Sequence, residues 1–540
     1  MQLHKQMKDA LDALLGGVVD GGPGVAVGLA LDGKLAWRRG AGLADIAQGI
    51  PVGSDTRMRI GSITKQMTCL AAVLLAEDGA LDLDAGVRRY LPELPDLSGV
   101  PGGAEPTLRQ LMWHAGGQRC YLDAGILADG LAIKPRGAAL AMQARQRGGN
   151  DTPGASLIYS NGGYHLLSLA LERVCGASIG QILHQRLFAP LGMRATSMVP
   201  SDLAPPAGMA IHYTGNAEQG FERGIFPTEE LLGEGGVVST VDDMLLWLDE
   251  LRLQRLGSSR AWRQMLDCPV FANGFMSQYA GGLFIEDYRG RRTFNHAGNV
   301  VGGASHLLFL PDDCIGVIVL TNGARIDPIA LAERVADIVL GAVDAPARSF
   351  APSTDYAAYL GSYRCPQSNL VCALCDDDGK LALSVYQSSP EPLEMTPDGL
   401  ALSFSRNSAG HFLIAAPLKG QAAPVQEFVL SDCGRRRRMV RLAPPGAQPL
   451  PLDGSYACPE LDASAQVTDH RVMHIQGRYG HNRLILTPLA DGLYTLRSDD
   501  PGLPGGGVLQ VRQAGGVVQA LEIDMARTRR LVFARRGRNA

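Results

Sequence analysis

Hydrophobic positions in the first 340 residues alternate between strand-like and helix-like spacing. Two apolar runs near the N-terminus, 25–31 and 34–37, are joined by Asp32-Gly33, which is typical of a β-hairpin turn. A longer apolar run over 69–76 continues a helix that begins near Ser62. Further strand-like runs follow at 280–285, 292–296, 304–310 and 316–321, before a closing helix over 327–343. We therefore expect an α+β sandwich whose first and last strands share one antiparallel sheet.

From Ala345 onward, the chain has short alternating strands and little helical periodicity. The sequence G-S-Y-x-C-P occurs twice, at 361–366 and 454–459, and each copy opens a block of roughly 90 residues, which indicates an internal repeat. Regularly spaced short strands are typical of small barrels or sandwiches. The pattern predicts three domains: an α+β domain over 1–344 and antiparallel β-barrel domains over 345–447 and 448–540.

The overall composition argues against several classes of function. The chain has 540 residues, 46% of them hydrophobic, and its formal net charge of −4 gives no reason to expect nucleic acid as a partner. We find no apolar window long enough for a membrane span and no secretory layout at the N-terminus, so we expect a cytoplasmic protein without a membrane partner. The arginine-rich run 435–441 is interpreted as a solvated strand edge.

Metal and cofactor motifs give no convincing match. Zinc-protease, Walker and dinucleotide-binding patterns do not occur in a suitable context. Cys372 and Cys375 form a C-x-x-C in strand-like sequence with no second pair at zinc spacing, and we interpret them as packed thiols. The sequence therefore predicts a protein without metal or cofactor.

The start of the apolar helix carries the first candidate chemistry. Ser62 and Lys65 are three residues apart, so on a helix the lysine amine would lie beside the serine hydroxyl. A serine needs an adjacent base to become a nucleophile, and a lysine held in a dry site can act as that base. A helix N-terminus also offers unpaired N–H groups for an oxyanion. The alternative is an ordinary helix start with a capping Ser or Thr, and this pair alone leaves both open.

A second candidate group is Tyr159-Ser160-Asn161, on a loop just before an apolar helix over 163–175. Such loops can hold functional side chains in exposed positions. The alternative, a buried tyrosine followed by helix-capping residues, is favoured when the triplet is taken alone. His114 is interpreted as structural. Ser178 lies in a G-x-S-x-G match, but a helix precedes it where a nucleophile elbow needs a strand, so we interpret it as a helix cap.

Taken together, Ser62-x-x-Lys65, Tyr159-Ser-Asn161 and His296-Ala-Gly298, in that order, resemble the three motifs of the penicillin-recognising serine hydrolases. The branch is the one that contains class C β-lactamases, D-alanyl-D-alanine carboxypeptidases and D-aminopeptidases. The resemblance covers residues 20–340 and includes further landmarks at 190–193, 235–244 and 320–323. It implies a β-lactamase/transpeptidase-like catalytic domain, with an antiparallel sheet flanked by helices and an all-helical part.

Two features narrow this resemblance. Histidine stands at 296, where β-lactamases usually carry lysine, and this weakens a β-lactamase interpretation. The two repeated β units are similar to the extension of bacterial D-aminopeptidases, which release N-terminal D-residues, D-alanine above all. The resemblance therefore implies a peptide or amino-acid amide with a free N-terminal D-residue as substrate, and a homodimer.

The resemblance also implies roles for individual residues. Ser62 would attack the carbonyl to form an acyl-enzyme, while Lys65 and Tyr159 accept and relay its proton, and which of the two is the base stays open. The backbone N–H groups of Ser62 and Asn299 would form the oxyanion hole. His296 would orient the substrate or polarise the site. The substrate-binding residues implied within or beside the motifs are Asn161, Gly298 and Asn299.

A cationic N-terminus calls for a carboxylate in the site. In the D-aminopeptidases, a loop of the last β domain reaches into the catalytic cleft. The best match here is the loop over 498–507, and we expect Asp499 or Asp500 to bind the substrate ammonium group. The alternative is a solvated turn, and the loop over 476–482 is a rival without an acid.

Other activities remain possible at this point. A D,D-carboxypeptidase or a carboxylesterase would use the same serine. From a different class, the fold could serve as an inactive penicillin-binding-like recognition module. The presence of all the matched motif residues argues against an inactive site.

Overall fold

The computed structural model describes residues 3–18, 21–98, 104–323, 326–342, 348–402, 411–415, 417–446, 450–500, 503 and 506–537. These residues form an α+β unit followed by two β-barrel units, as expected. The predicted domain boundaries, at 344/345 and 447/448, lie outside the described residues.

The first unit contains the α-helices found among the described residues and a mixed set of long and short strands. Its helices are α1 (Lys5–Ala13), α2 (Thr64–Glu77), α3 (Leu108–Met112), α4 (Tyr121–Asp129), α5 (Ala138–Ala144), α6 (Asn161–Cys175), α7 (Ile179–Leu183), α8 (Ala189–Leu191), α9 (Val241–Leu253), α10 (Ser259–Leu266) and α11 (Pro328–Leu340). Its strands are β1 (Val25–Leu31), β2 (Lys34–Ala41), β3 (Leu43–Asp45), β4 (Ile50–Pro51), β5 (Met58–Arg59), β6 (Ser197–Met198), β7 (Tyr213–Asn216), β8 (Gly220–Arg223), β9 (Val237–Ser239), β10 (Phe284–Tyr288), β11 (Arg291–Val300), β12 (Gly303–Leu310) and β13 (Ile315–Thr321).

The central sheet joins the two ends of this unit. Its strand order is β10-β11-β12-β13-β1-β2, and β1 pairs antiparallel with β13 from Val25 opposite Thr321 to Leu31 opposite Ile315. The expectation that the first and last strands share one sheet is therefore confirmed. Asp32 and Gly33, with φ of 52° and 73°, form the turn between β1 and β2, and both angles match the hairpin predicted there.

Helices cover both faces of the sheet. Helix α2 lies inside the unit, where its residues from Thr64 to Leu75 are all buried. This burial explains why the apolar run around it has no polar face. On the opposite face, α1 and α11 pack against β1 and β13 in a second apolar cluster. Ser178 caps α7 with a capping box to Gln181, so its predicted role as a cap is confirmed.

The second unit, which we call barrel B, is a nearly closed nine-stranded sheet in the order β17-β16-β15-β14-β22-β21-β20-β19-β18. Its strands are β14 (Gly361–Arg364), β15 (Val371–Asp377), β16 (Lys380–Val385), β17 (Glu391–Pro392), β18 (Glu394–Thr396), β19 (Gly399–Ala401), β20 (Phe412–Ala415), β21 (Glu427–Asp432) and β22 (Arg435–Arg441). Because β22 lies between β14 and β21, the interpretation of 435–441 as a strand edge is wrong.

The third unit, barrel C, is a closed barrel in which neighbouring strands follow one another in sequence. Its strands are β23 (Gly454–Cys458), β24 (Ala463–Thr468), β25 (Val472–Gln476), β26 (His481–Ala490), β27 (Leu493–Ser498), β28 (Gly506–Ala514), β29 (Val517–Asp524) and β30 (Leu531–Arg535).

The repeated motif plays the same part in both barrels. Tyr363 and Tyr456 are fully buried, and each donates its hydroxyl hydrogen bond to a carbonyl four residues earlier, at 2.8 and 2.6 Å. The motif glycines, Gly361 and Gly454, have φ of 142° and 147°, a conformation that favours glycine. The prediction of two related β units is therefore consistent with the geometry.

Over the described residues, no single helix has the length and apolarity needed to cross a membrane, although the bent pair Asn161–Cys175 and Ile179–Leu191 passes on length and composition alone.

Candidate active site

Ser62 lies on a tight turn, Gly61–Ile63, between β5 and α2. The turn approaches β11 so closely that glycine is needed on both sides. Gly61 has φ of 51°, and a Cβ there would lie 2.9 Å from the backbone N of Asn299. A Cβ on Gly298 would lie 2.1 Å from the carbonyl oxygen of Ile60. The backbone of Asn299 is thereby held against the serine turn, where an oxyanion hole would need it.

The edge of β11 is open at this point. Strand β10 pairs with β11 only from Arg291 to Asn295, so the rest of β11, which contains His296-Ala297-Gly298, continues past its neighbour. This continuation borders the cavity beside Ser62. The sequence pattern predicted a strand that ends at His296, whereas β11 continues to Val300. The third motif therefore lies within the strand.

Lys65 is fully buried on the first turns of α2 and makes three short contacts. Its Nζ lies 2.9 Å from Ser62 Oγ, 2.9 Å from Asn161 Oδ1 and 2.6 Å from the carbonyl oxygen of Glu234. The latter two groups can only accept hydrogen bonds, while the serine hydroxyl can donate. A neutral amine has two N–H bonds and one lone pair, so with both N–H groups engaged its lone pair is left for the Ser62 hydroxyl.

The surroundings of Lys65 favour this neutral amine. Burial lowers the pKa of Lys65 to about 7, the carboxylate of Glu234 opposes that change, and the charge of Arg527 adds to it. A lysine with this pKa can take a proton near neutral pH.

Tyr159 contacts the same serine from the other side of the site. It is buried, and its ring centre lies 4.9 Å from Lys65 Nζ. Burial raises the pKa of the Tyr159 phenol, while a hydrogen bond with Ser62 and the charge of Arg527 act in the opposite direction. Its ring packs at 3.9 Å against His114, whose Nδ1 accepts a hydrogen bond from the Ser160 backbone at 3.1 Å. His114 thus supports the second motif structurally.

His296 is a neutral side chain in this site. Burial and, to a smaller extent, the neighbouring Lys65 lower the pKa of His296 to about 3. Its Nδ1 lies 2.6 Å from the Ala297 carbonyl, which can only accept, so Nδ1 carries the hydrogen and Nε2 accepts from the Tyr279 hydroxyl at 3.3 Å. His296 can orient neighbours through hydrogen bonds, but it brings no positive charge at neutral pH.

These groups open onto a cavity of about 600 Å³. Of the predicted site residues, Ser62, Tyr159, Asn161, His296 and Asn299 line it, and Lys65 lies directly behind Ser62. Asn161 is the first residue of α6 rather than part of the preceding loop. The charged residues along the cavity are Asp123, Glu234 and Arg527.

Glu234 places a carboxylate in this wall. It is 2% exposed, and its Oε1 accepts from the Tyr121 hydroxyl at 2.8 Å and contacts His165 Nδ1 at 3.1 Å. Within the described ranges, its other oxygen, Oε2, has no hydrogen-bond partner. Burial opposes ionisation, but the charge and hydrogen bond of His165 outweigh it and lower the pKa of Glu234. Glu234 is therefore a buried, ionised carboxylate beside the cavity, and its second oxygen is shielded from solvent.

Asp499 and Asp500, the two acids predicted to bind the substrate ammonium group, are not part of the cavity wall. Both are exposed beyond the end of β27, Asp499 pairs with Arg483, and neither lines the cavity. The structure does not bring the two acids to the cavity lining, and their predicted contact with the substrate stays a prediction that no observation here supports. The rival loop over 476–482 packs on α4 instead, where the N–H groups of Tyr479 and Gly480 donate to Asp129. Among the described residues of barrel C, the cavity lining includes Arg527, on the loop between β29 and β30.

Sequence reasoning missed Glu234 and Arg527. Glu234 stands directly before the 235–244 landmark, and a lone acid between glycines could have been singled out there. Arg527 is one of several arginines near the C-terminus, and no local pattern marks it. In the described part of the chain, no group of three His, Cys, Asp or Glu side chains is arranged to hold a metal ion.

Comparisons with known proteins agree with this geometry. A family model described as beta-lactamase matches residues 11–340. A D-aminopeptidase of Cereibacter sphaeroides is 28% identical over 550 residues, covering 98% of this chain and 99% of the relative. The expected relationship to this serine hydrolase family is therefore confirmed.

Solved structures show the same fold. The octameric penicillin-binding protein homologue from Pyrococcus abyssi matches with a TM-score of 0.56 at 19% identity, covering 88% of this chain and 98% of that one. D-amino acid amidase from Ochrobactrum anthropi SV3, complexed with L-phenylalanine amide, matches with a TM-score of 0.53 at 24% identity, covering 62% and 99%. The expected β-lactamase-like fold is confirmed.

Proposed function

The chain belongs to the beta-lactamase family, and we propose that it is a serine hydrolase that releases N-terminal D-amino acids, notably D-alanine, from peptides, amides or esters. The contacts of Lys65 carry the proposal, because they leave its lone pair for the Ser62 hydroxyl. The nearly full-length similarity to a D-aminopeptidase supports the substrate class.

The reaction follows from these contacts. Ser62 Oγ bonds to the substrate carbonyl carbon while its proton passes to Lys65, and the oxyanion is stabilised by the N–H groups of Ser62 and Asn299. The C–N bond then breaks, and the leaving amine takes the proton, relayed through Tyr159. Water attacks the acyl-enzyme in the reverse sense, gives its proton to Lys65, and the free D-amino acid leaves as Ser62 regains its hydrogen.

The substrate ammonium group binds Glu234 in this proposal. A buried, ionised carboxylate with one free acceptor matches a cation, and the hydrogen bonds to Tyr121 and His165 fix its orientation. Asn161 and His296 orient the amide and the neighbouring groups. This assignment replaces Asp499 and Asp500 as the acids that bind the N-terminus.

One assay separates this function from its rivals. The wild type should hydrolyse D-alanine p-nitroanilide faster than the L-isomer, and Ser62→Ala should abolish the activity. Hydrolysis of N-acetyl-D-Ala-D-Ala alone would indicate a D,D-carboxypeptidase, and hydrolysis of a nitrophenyl ester alone a carboxylesterase. Activity on none of these substrates would indicate an inactive recognition module. Any of these three results would refute the aminopeptidase assignment.

The ammonium assignment has its own test. Glu234→Gln should raise KM for D-alanine amide by about tenfold or more, since it removes the charge partner of a cation but keeps the shape. The double variant Asp499→Asn with Asp500→Asn is the matched control and should keep the wild-type KM. A raised KM in the double variant and an unchanged KM in Glu234→Gln would instead assign ammonium binding to Asp499 and Asp500.

We also propose that the protein forms a homodimer, as the family resemblance implies, and that it acts in the cytoplasm. Light scattering of the purified chain should give twice the monomer mass. A monomer, or an octamer like the one described for the Pyrococcus abyssi homologue, would contradict the dimer.

A further inference from the structure

The loop between β29 and β30 of barrel C is bonded to the catalytic unit beside the cavity. The carbonyl oxygen of Arg527 accepts from the Cys120 backbone at 3.1 Å and from Asn150 Nδ2 at 2.8 Å. Thr528 Oγ1 donates to the Cys120 carbonyl at 3.1 Å, and the Arg529 backbone donates to Asn150 Oδ1 at 2.8 Å. Bonds at the carbonyl of residue 527 and at the two residues that follow it hold this backbone in place, so the Arg527 side chain starts from a defined point.

That side chain extends to the catalytic tyrosine. Arg527 lines the cavity together with Ser62, and its Cζ lies 5.2 Å from the centre of the Tyr159 ring. A guanidinium at this distance from an aromatic ring is attracted to the ring face. Tyr159 is thereby held between Arg527 and His114, whose ring centre is 3.9 Å from its own.

Arg527 is also a permanent charge near both candidate bases, because arginine keeps its proton at all relevant pH values. Its charge acts to lower the pKa of Lys65 and that of Tyr159. Asp123 faces Arg527 and partly balances it. The other titratable groups that act on Lys65 are Glu234, Cys69 and Cys120, and Lys65 in turn acts on the neutral His296.

We propose that Arg527, supplied by barrel C, is a positioning residue of the Ser62 centre: it fixes the Tyr159 ring and keeps a positive charge beside the two bases. This inference rests on the proposed function for its substrate, but it concerns the activation of Ser62 whatever is hydrolysed. Barrel C therefore completes the catalytic centre as well as bordering it.

The test measures how fast a fluorophosphonate probe labels Ser62 as a function of pH. The probe forms a bond from Ser62 Oγ to phosphorus, fluoride leaves, and the serine proton goes to the base, so the rate follows the neutral fraction of that base. In Arg527→Met, the acidic limb of the pH profile of the labelling rate should move up by about one pH unit. The loss of a nearby positive charge raises the pKa of Lys65. Arg527→Lys keeps the charge and should stay within about a third of that shift.

Arg530→Met is the matched control, since it removes a charge from the same loop outside the cavity lining. It should keep the wild-type limb, and melting temperatures of all variants show whether each one folds. A limb that is unchanged in Arg527→Met, or moved equally in Arg530→Met, would overturn the inference. Failure to hydrolyse D-alanine p-nitroanilide with normal labelling would refute only the proposed function, so the two claims fail separately.

Discussion

Barrels B and C begin with the same motif, and both contact the surroundings of Tyr159. The contact of barrel B is apolar, whereas that of barrel C is charged. Cys433, at the turn between β21 and β22 of barrel B, is buried in an apolar cluster with Leu157, Tyr159 and Phe271. Arg527 of barrel C lies over the same tyrosine from the cavity side. Barrel B thus contributes to the apolar cluster that contains the ring, while barrel C adds a charge to the site.

Each contact is clamped by one asparagine of the catalytic unit. Asn273 Nδ2 donates to the Cys433 carbonyl at 2.8 Å, and Asn150 Nδ2 donates to the Arg527 carbonyl at 2.8 Å. Repeated domains can therefore take unequal parts in one site: an apolar contact fixes position only, whereas a buried charge also changes the protonation of its neighbours.

The largest expected effect is the pH dependence of catalysis, which follows from the protonation of Lys65 in the charged part of the site. Because Lys65 must be neutral to accept the Ser62 proton, kcat/KM should fall as the pH drops through its pKa of about 7, to about one hundredth of its maximum at pH 5. His296, with a pKa of about 3, should not contribute to this limb. A pH profile of D-alanine p-nitroanilide hydrolysis measures it, and full activity at pH 5 would exclude Lys65 as the base.

Asn150→Ala should have the next largest effect. It removes one partner of the Arg527 carbonyl and the acceptor of the Arg529 N–H, so only the bonds to Cys120 described above still hold this part of the loop. We expect kcat/KM to fall about tenfold, as is common when a positioning contact is lost, and the free energy of unfolding to fall by about 1–3 kcal/mol. Steady-state kinetics and denaturant titration check both, and unchanged kinetics with lower stability would reduce barrel C to a structural support.

Asn273→Ala is the counterpart on barrel B and should have the smallest effect. It frees the Cys433 carbonyl at a partly exposed position, so the free energy of unfolding should fall by about 0.5–1 kcal/mol. Values of kcat/KM should stay within about twofold of the wild type, with the same acidic limb. A kinetic loss equal to that of Asn150→Ala would remove the distinction between the barrels.

The sequence predicted well wherever a site residue is fixed by local structure. Ser62 and Lys65 are neighbours because they lie three residues apart at a helix start, and Tyr159 and Asn161 are placed by the start of α6. The long strands and the repeat motif were found in the same way, from periodicity and from copied residues.

Contacts between distant parts of the chain were not predictable in this way. Arg527 meets Cys120 across about 400 residues, and only the closed barrel together with the docking of its loop brings them together. Asp499 and Asp500 were chosen for their charge in a loop, but neither lies in the cavity lining, and Asp499 pairs with Arg483. The arginine-rich strand resembled an edge because four consecutive arginines were expected to need solvent, whereas in the barrel Arg437 pairs with Asp432 and Arg438 with Glu427.

The account depends most directly on a covalent bond at Ser62. Wild-type protein mixed with D-alanine p-nitroanilide and quenched in acid during turnover should gain the mass of one alanyl group, and peptide mapping should locate it on Ser62. Ser62→Ala should show no adduct, and Lys65→Met should accumulate much less. An adduct on another residue, such as Ser178, or hydrolysis of the substrate with no trapped acyl group would contradict the account.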